Sequence, residues 1–164
     1  MFKKKTFLVL TLLVFASCNF NSPTNFTEKT LEDSFYDLNN KSIELKQILQ
    51  QNKGQKILFN IWASCCKDCI VGMPDLIAFQ KKHPTVKYVF LSIDRSMFRW
   101  KTAVEKYRIK GQHFFMKNGL NSAFGDFLNS NWIPRYLVVN ENGTIDLFKA
   151  KKITDKRIVE ALKK

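Results

Sequence analysis

Three cysteines lie within five residues near the middle of the chain, and their spacing points first to thiol chemistry. They are Cys65, Cys66 and Cys69, and the remaining cysteine is Cys18. A disulfide framework spreads its cysteines along the chain, so this clustering indicates a reactive or metal-binding site. In the Cys-x-x-Cys pair, Cys66 could attack a substrate disulfide and Cys69 could resolve the mixed disulfide that results.

The pair comes between a predicted buried strand and a predicted helix. Residues 56–62 (KILFNIW) form a compact apolar run, which is typical of a central strand. Residues 68–83 carry apolar side chains at helical spacing, and Pro74 within them should kink the helix. Unpaired N–H groups at the start of a helix stabilise negative charge, which favours the thiolate of Cys66.

The residues between the two cysteines act in opposite directions on that thiolate. Lys67 adds positive charge beside Cys66, and Asp68 adds negative charge. We predict that Cys66 is the nucleophile and that Cys69 is the resolving thiol. The alternative is an inert buried pair or a structural disulfide. A structural zinc site is disfavoured because it needs about four ligands, and the sequence has no second cysteine pair.

Patterns in the rest of the chain predict a mixed α/β fold. Residues 36–45 alternate around an Asn-Asn turn signal and predict a strand pair, and Asn140–Gly143 predicts a hairpin turn. Strands are expected at residues 86–93, 114–116, 135–139 and 144–148, and helices at residues 45–51, 96–107, 120–128 and 153–162. A β-α-β unit followed by an antiparallel hairpin and a last helix is typical of a central mixed sheet flanked by helices.

The cysteine segment and a later proline segment together resemble one known family. Residues 59–76 (FNIWASCCKDCIVGMPDL) resemble the signature of the TlpA/ResA-like thiol-disulfide oxidoreductases of the thioredoxin superfamily, whose usual form is V-N-F-W-A-[ST]-W-C-x-x-C followed by M-P-x-L. Residues 132–140 (WIPRYLVVN) resemble the proline loop and next strand of that family. The resemblance covers about residues 36–162 and implies a thioredoxin-like α/β fold with an N-terminal strand pair. The matching residues of the first segment are Asn60, Trp62, Ala63, Ser64, Cys66, Cys69, Met73, Pro74 and Leu76.

The resemblance also implies how such a site works. Ile133–Pro134 should be a cis peptide bond packed against the cysteine pair, beside backbone that binds an extended substrate segment. The alternative for Pro134 is an ordinary edge-strand proline. Asn60 and Trp62 would support the site from the preceding strand, and no cofactor is implied. Electrons would pass from a membrane thiol-reducing protein to disulfides of exported proteins, with apocytochrome c, and hence cytochrome c maturation, as one candidate.

Cys65 departs from the family pattern, which usually has tryptophan at this position. We interpret Cys65 either as a passive small hydrophobic residue or as a third redox thiol. A third alternative is a Cu(I)-binding chaperone of the Sco type, which would use Cys65, Cys66 and Cys69 because thiolates suit Cu(I). That type also needs a histidine near the proline loop. Neither His83 nor His113 lies there; we interpret both as surface or packing residues and predict no resident metal.

The N-terminus has the pattern of an export signal. Residues 1–17 carry three lysines and then an apolar stretch, which is signal-peptide architecture. Small residues before Cys18 resemble a bacterial lipobox, in which the cysteine is lipidated. We therefore predict a signal peptide at residues 1–17, a polar linker at 18–30 and a thioredoxin-like domain at 31–164. The domain would be a membrane-anchored lipoprotein of the cell envelope, in the periplasm or an equivalent extracytoplasmic space. A plain cleaved signal or an uncleaved anchor is the alternative.

The charge balance limits the class of partner. The chain has 27 Lys and Arg against 14 Asp and Glu, a formal net charge of +13, and loss of the three leader lysines would leave +10. Such a charge favours anionic partners, but export argues against nucleic acid, so no nucleic-acid partner is predicted. Basic clusters at residues 95–117 and 149–164 are interpreted as solvated surface, with contact to anionic lipid as the alternative. No apolar run is long enough for a membrane-spanning helix in the mature chain.

Overall fold

Seven strands and seven helices make up the part of the chain that the computed structural model describes, residues 22–164. In chain order they are α1 (Glu28–Leu31), β1 (Ser34–Tyr36), β2 (Ser42–Glu44), α2 (Leu45–Gln51), β3 (Ile57–Trp62), α3 (Lys67–Val71), α4 (Met73–Lys82), β4 (Lys87–Ser92), α5 (Met97–Tyr107), β5 (Gln112–Phe115), α6 (Ala123–Leu128), β6 (Arg135–Val139), β7 (Ile145–Ala150) and α7 (Lys156–Leu162). The strands form one sheet in the order β2-β1-β5-β4-β3-β6-β7. The predicted signal peptide (residues 1–17) and the predicted lipidation site, Cys18, lie outside the described residues.

The central strand β3 positions the cysteine pair. All six of its residues are buried, and it pairs in parallel with β4 and antiparallel with β6. Successive side chains of a strand point to opposite faces of the sheet. Leu58 and Trp62 pack in the layer that contains Cys69, whereas the odd-numbered residues of β3 join the opposite layer. Asn60 therefore points to the same side of the sheet as Cys69.

The predicted mixed α/β fold with an N-terminal strand pair is confirmed, but the predicted helix kink is wrong. The helix expected over residues 68–83 is two helices, α3 and α4, and Gly72 caps both of them. Pro74 lies in the first turn of α4, where a missing N–H breaks no intrahelical hydrogen bond. The proline therefore helps to start a helix instead of bending one.

Helices α6 and α7 begin three residues later than the periodicity predicts, at Ala123 and Lys156. Side chains of Ser122 and Asp155 cap their first turns, which fixes a helix start that periodicity cannot locate. Ile153 is buried in the core without being helical. Every helix within residues 22–164 is too short or too polar to cross a bilayer.

Part of the predicted linker packs on the domain. The backbone N–H of Ile145 donates a hydrogen bond to Thr24 O at 2.7 Å. The Phe26 ring lies with its centroid 5.3 to 6.3 Å from those of three domain phenylalanines, Phe59, Phe124 and Phe127. Phe26, an aromatic residue in an otherwise polar segment, thus packs against the core. The packed region begins before residue 31, the boundary that composition indicates.

Replacement of Phe26 tests whether this segment belongs to the folded domain. We expect Phe26→Ala to lower the free energy of unfolding by about 2 kcal/mol, because a partly buried ring loses its contacts. Phe98→Ala is the matched control. Phe98 is 79% exposed, so its replacement should change the stability by less than about 0.5 kcal/mol. Equilibrium urea unfolding measures both, and equal small changes would mean that residues 22–30 are only a linker.

Candidate active site

Cys66 lies at the N-cap of helix α3, after the loop that follows β3. Its Sγ accepts a hydrogen bond from the backbone N–H of Cys69 at 3.2 Å, and its own N–H donates to Ala63 O at 3.1 Å. The sulfur thus occupies the position of the side-chain oxygen that usually caps a helix. The first turn of α3 thus directs a hydrogen-bond donor at the sulfur. Cys66 is half-buried, so part of its surface is accessible to a substrate.

Cys69 lies one turn further along and is buried, with 5% of its surface exposed. It packs with Trp62 and Met73 in the main core layer. Burial raises the pKa of the Cys69 thiol far above its usual range, and the interaction with Cys66 raises it further. The two thiols of the pair are therefore unequal: one is accessible and capped by an N–H group, and the other is held neutral in an apolar environment.

A proline loop lies against the accessible thiol. The Ile133–Pro134 peptide bond is cis, as the resemblance implies. Cys66 Sγ lies 3.7 Å from Ile133 O, to which its thiol can donate. Pro134 is buried and Ile133 is half-buried. This arrangement places a backbone carbonyl and its flanking extended chain directly beside Cys66.

Arg135 holds this loop, although no pattern in the sequence assigns it a role. Its Nε donates a hydrogen bond to Ser130 Oγ at 2.7 Å, and Ser130 Oγ in turn donates to Trp132 O. Arg135 is buried at the start of β6, and burial lowers the pKa of its guanidinium. Because these bonds cross the loop, they restrain Ile133 beside the cysteine.

A buried carboxylate fixes the loop between β3 and the cysteines. Asp94 is 4% exposed; its oxygens accept hydrogen bonds from Ser64 N–H at 3.0 Å, from Ser64 Oγ at 2.6 Å and from Ser92 Oγ at 2.7 Å. These donors offset the cost of burying a charge. Sequence reasoning missed Asp94. The sequence did contain a signal, because Asp94 directly follows the predicted strand at residues 86–93. Parallel strands end at the same edge of the sheet, so a residue just after that strand lies near the loop that follows β3.

Asn60 and Trp62 lie beneath the cysteine pair. Asn60 is directly opposite Tyr136 in the β3–β6 pairing, and both side chains are buried. Burial raises the pKa of Tyr136, and the nearby Cys69 raises it further. Asn60 Oδ1 and Trp62 Nε1 have no hydrogen-bond partner among residues 22–164. The environment under Cys69 is thus poorly suited to a charged thiolate.

Cys65 differs from Cys66 and Cys69 in being exposed on the surface. It is exposed, whereas Cys69 is buried, and none of the three clustered cysteines forms a disulfide. Over residues 22–164, no group of three or more His, Cys, Asp or Glu side chains is placed to hold a metal ion. His113 is stacked on Phe90, with ring centroids 4.8 Å apart. The structure therefore does not support the copper-chaperone alternative.

Two cavities lie beside the proline loop, and one of them is lined by Cys66. Val71 and Trp132 are large apolar residues beside them and are 69% and 55% exposed. Exposed apolar side chains of this kind are typical of surfaces that bind another chain. The first cavity, of about 370 Å³, is lined by Cys66, Lys67, Asp68, Asn131, Trp132 and Ile133. The second, of about 490 Å³, includes Asp68, Val71, Trp132, Pro134 and Tyr136.

Most of the predicted site residues meet at one edge of the sheet. The structure brings together Cys66, Cys69, Ile133 and Pro134. Asn60 and Trp62 lie below them in the core, Lys67 is exposed in the first turn of α3, and Cys65 is on the surface. Cys18 lies outside the described residues.

Comparisons with known proteins point to one family. A family model described as Thioredoxin-like matches residues 54–145. The chain is 27% identical over 121 residues to "Thioredoxin-like protein YneN" of Bacillus subtilis, covering 71% of this chain and 69% of that protein. It is 26% identical over 123 residues to "Sporulation thiol-disulfide oxidoreductase A" of the same organism, covering 73% and 74%. A solved thiol-disulfide oxidoreductase from Bacteroides vulgatus superposes with a TM-score of 0.65 at 27% identity, covering 79% of this chain and 83% of that one.

The Asp94 network predicts a coupled loss of stability and activity. Asp94→Ala leaves the donors of Ser64 and Ser92 without their acceptor, so we expect the free energy of unfolding to fall by about 2 kcal/mol. The disulfide-exchange rate should fall as well, because the loop that carries Cys66 loses its anchor. Ser64→Ala is the control: it removes one hydroxyl donor but keeps the N–H bonds, and should cost about 1 kcal/mol. Urea unfolding and exchange kinetics measure both; an exchange rate unchanged in Asp94→Ala would contradict the anchoring role.

The unequal burial of the two thiols predicts selective alkylation. In the reduced, folded chain, iodoacetamide should modify Cys66 and leave Cys69 unmodified at neutral pH, since the raised pKa and burial of Cys69 keep it a shielded thiol. Because the pKa of Cys69 is higher in the folded chain than in the unfolded chain, its neutral thiol favours the folded state at any pH below the unfolded-chain pKa. This contribution to the free energy of unfolding decreases progressively as the pH rises above the unfolded-chain pKa. Peptide mass spectrometry reads out both sites. Equal modification of the two cysteines would mean that Cys69 is accessible.

Proposed function

This chain belongs to the thioredoxin-like family and is a thiol-disulfide oxidoreductase; from that premise we propose that it reduces disulfides of exported proteins while tethered to the outer face of a membrane. One observation carries the proposed chemistry. Cys66 Sγ accepts the N–H of Cys69 and faces the carbonyl of Ile133. A nucleophilic thiolate, its resolving partner and a site for substrate backbone are thus adjacent.

The reaction proceeds in two exchanges. First, the Cys66 thiolate attacks one sulfur of the substrate disulfide; that S–S bond breaks, a mixed disulfide forms and the leaving substrate sulfur takes up a proton. Cys69 then loses its proton and attacks Cys66 Sγ, which releases the second substrate thiol. Two electrons pass to the substrate and a Cys66–Cys69 disulfide remains. A membrane thiol-reducing protein would restore the two thiols.

The unequal burial of the two cysteines supports this order of attack. Cys66 is half-buried and Cys69 is buried, so only Cys66 can meet a protein disulfide in the first step. The high pKa of Cys69 keeps it protonated, and hence unreactive, until the mixed disulfide forms next to it. Retention of that proton delays the second step, so the mixed disulfide persists until Cys69 is deprotonated.

The groove beside Cys66 suits an extended protein segment. Ile133 presents a backbone carbonyl at the cysteine, and extended chains bind such exposed backbone through main-chain hydrogen bonds. Val71 and Trp132 provide exposed apolar surface along the same groove. Recognition of this type depends on backbone and on general apolar character, which fits several exported substrates, apocytochrome c among them.

The sequence of the leader supports the proposed location. Residues 1–17 have the pattern of a lipoprotein signal peptide, and Cys18 would carry the lipid that anchors the chain. An oxidising compartment also supplies the substrates, since disulfides form and persist there. The proposed protein is therefore a reductant held at the membrane surface.

Single cysteine replacements test the proposed roles. In full-length protein, Cys66→Ser should lower the rate of protein disulfide reduction by more than about 100-fold, because the nucleophile is lost. Cys69→Ser should accumulate a mixed disulfide between Cys66 and the substrate, since no thiol resolves it. Cys65→Ser is the matched control and should keep most of the activity. Mass spectrometry after thiol trapping identifies the linked residue; a mixed disulfide on Cys65 would overturn the assignment.

A further inference from the structure

A basic cleft lies at the end of the sheet opposite the cysteines. The cleft encloses about 700 Å³. It lies where β3, β4 and β5 begin, whereas Cys66 follows the end of β3. Strand β3 has six residues, and its five rises of about 3.3 Å separate the cleft end of the sheet from the cysteine end by roughly 17 Å. We call this feature the basal cleft; it is lined by Gln51, Asn52, Gln55, Ile77, Gln80, Lys81, Pro84, Val86, Lys87, Tyr88, Arg108, Lys110, Gly111 and Gln112.

The lining of the basal cleft suits an anion. It contains four cationic side chains and five amide side chains but no carboxylate. None of the four cations forms an ion pair with an acidic residue in the part of the chain that the structure describes. Cations and amide N–H groups are the donors that bind phosphate oxygens. The cationic residues are Lys81, Lys87, Arg108 and Lys110.

Hydrogen bonds hold two parts of the cleft wall in place. The buried Asn52 donates through Nδ2 to Ile48 O and to Gln112 Oε1, both at 2.8 Å. Gln80 Nε2 donates to Lys110 O at 2.5 Å. The amide of Gln112 and the backbone beside the cationic Lys110 are therefore positioned before any ligand binds.

The described chain begins at the same end of the molecule. Thr24 O accepts the N–H of Ile145, and Ile145 pairs with Val139, which in turn pairs with Ile57 at the start of β3. Five residues separate Thr24 from Cys18, so fully extended chain spans at most about 20 Å between them. A lipid attached at Cys18 would place a membrane within that distance of the cleft end.

We propose that the basal cleft docks on anionic phospholipid head groups of the membrane that tethers the chain. This inference rests on the proposed tether at Cys18. Lysine and arginine near an anionic leaflet are attracted to its phosphates, and the cleft amides other than Asn52, whose Nδ2 is already bonded within the protein, add hydrogen-bond donors. Docking at this end turns the opposite end, with Cys66 and Trp132, away from the bilayer and toward soluble protein substrates.

Lysine labelling on vesicles tests the orientation. The lipidated mature protein (residues 18–164) is reconstituted on phosphatidylcholine vesicles with and without phosphatidylglycerol. Reaction of its lysines with a membrane-impermeant amine reagent is followed by mass spectrometry. With phosphatidylglycerol, labelling of Lys87 and Lys110 should slow at least about threefold, because head groups cover them. Lys67 and Lys117, at the cysteine end, should label at an unchanged rate. Unchanged labelling of Lys87 and Lys110, or equal protection of all four, would overturn the proposal.

Charge reversal separates cleft docking from general attraction. In the unlipidated mature chain (residues 18–164), Lys87→Glu, Arg108→Glu and Lys110→Glu together should reduce the added affinity for phosphatidylglycerol vesicles by at least about tenfold. The control reverses Arg95, Arg99 and Lys117 instead, with the same change in net charge at the opposite end, and should lose much less. Equal losses would show that net charge alone attracts the chain and would overturn docking at the cleft. Circular dichroism verifies that both variants fold.

The failure of docking and the failure of the proposed function give different results. The cleft variant should reduce protein disulfides in solution at the wild-type rate, because its three changed residues lie far from Cys66. If the wild-type chain does not reduce protein disulfides in solution, the proposed chemistry is refuted, whereas the vesicle result is unaffected. Mass spectrometry that finds Cys18 without lipid would refute the tether, on which the orientation depends.

Discussion

The hydrogen bond from the backbone N–H of Cys69 to the sulfur of Cys66 is the contact on which the rest of the site depends. It exists because a fully buried strand, β3, ends four residues before helix α3 begins. The strand sets the position of the turn, and the turn places one cysteine at the helix cap and the other one turn inside. The same geometry that leaves Cys66 accessible and capped by an N–H group buries the thiol of Cys69 and raises its pKa.

Holding that turn requires polar groups inside the protein. Asp94 reaches from the end of β4 to Ser64 on the loop before the cysteines, and Arg135 ties the proline loop through Ser130. A buried carboxylate and a buried guanidinium are costly unless their hydrogen bonds are satisfied. Asp94 accepts hydrogen bonds from Ser64 and Ser92, and Arg135 donates one to Ser130, so each of the two charged groups restrains one side of the groove beside Cys66.

The two ends of the sheet carry different chemical character. At one end, a half-buried thiol lies among exposed apolar residues such as Val71 and Trp132. At the other end, the basal cleft is cationic and lacks carboxylates, and Thr24 is hydrogen-bonded to the start of β7 at that same end of the sheet. Because β3 spans the molecule between them, a tether at the cleft end and a reactive thiol at the far end do not compete for the same surface.

Local patterns predicted the order of most strands and helices and the place of the cysteine pair, but not the division of residues 68–83 into two helices or the starts of α6 and α7. The apolar run of β3, the Cys-x-x-Cys spacing and the Asn140–Gly143 turn each act over a few residues, so the sequence alone predicted the mixed sheet and placed the pair at a helix start. The resemblance of the proline segment also predicted the cis bond before Pro134. Tertiary structure decided what depends on distant packing. Asp94 lies 30 residues from Ser64, Phe26 packs on rings from two later parts of the chain, β3 and α6, and the basal cleft combines residues from several elements. Local periodicity in the sequence does not indicate contacts of this kind, because the burial and pairing of distant residues are decided only when the strands assemble into the sheet.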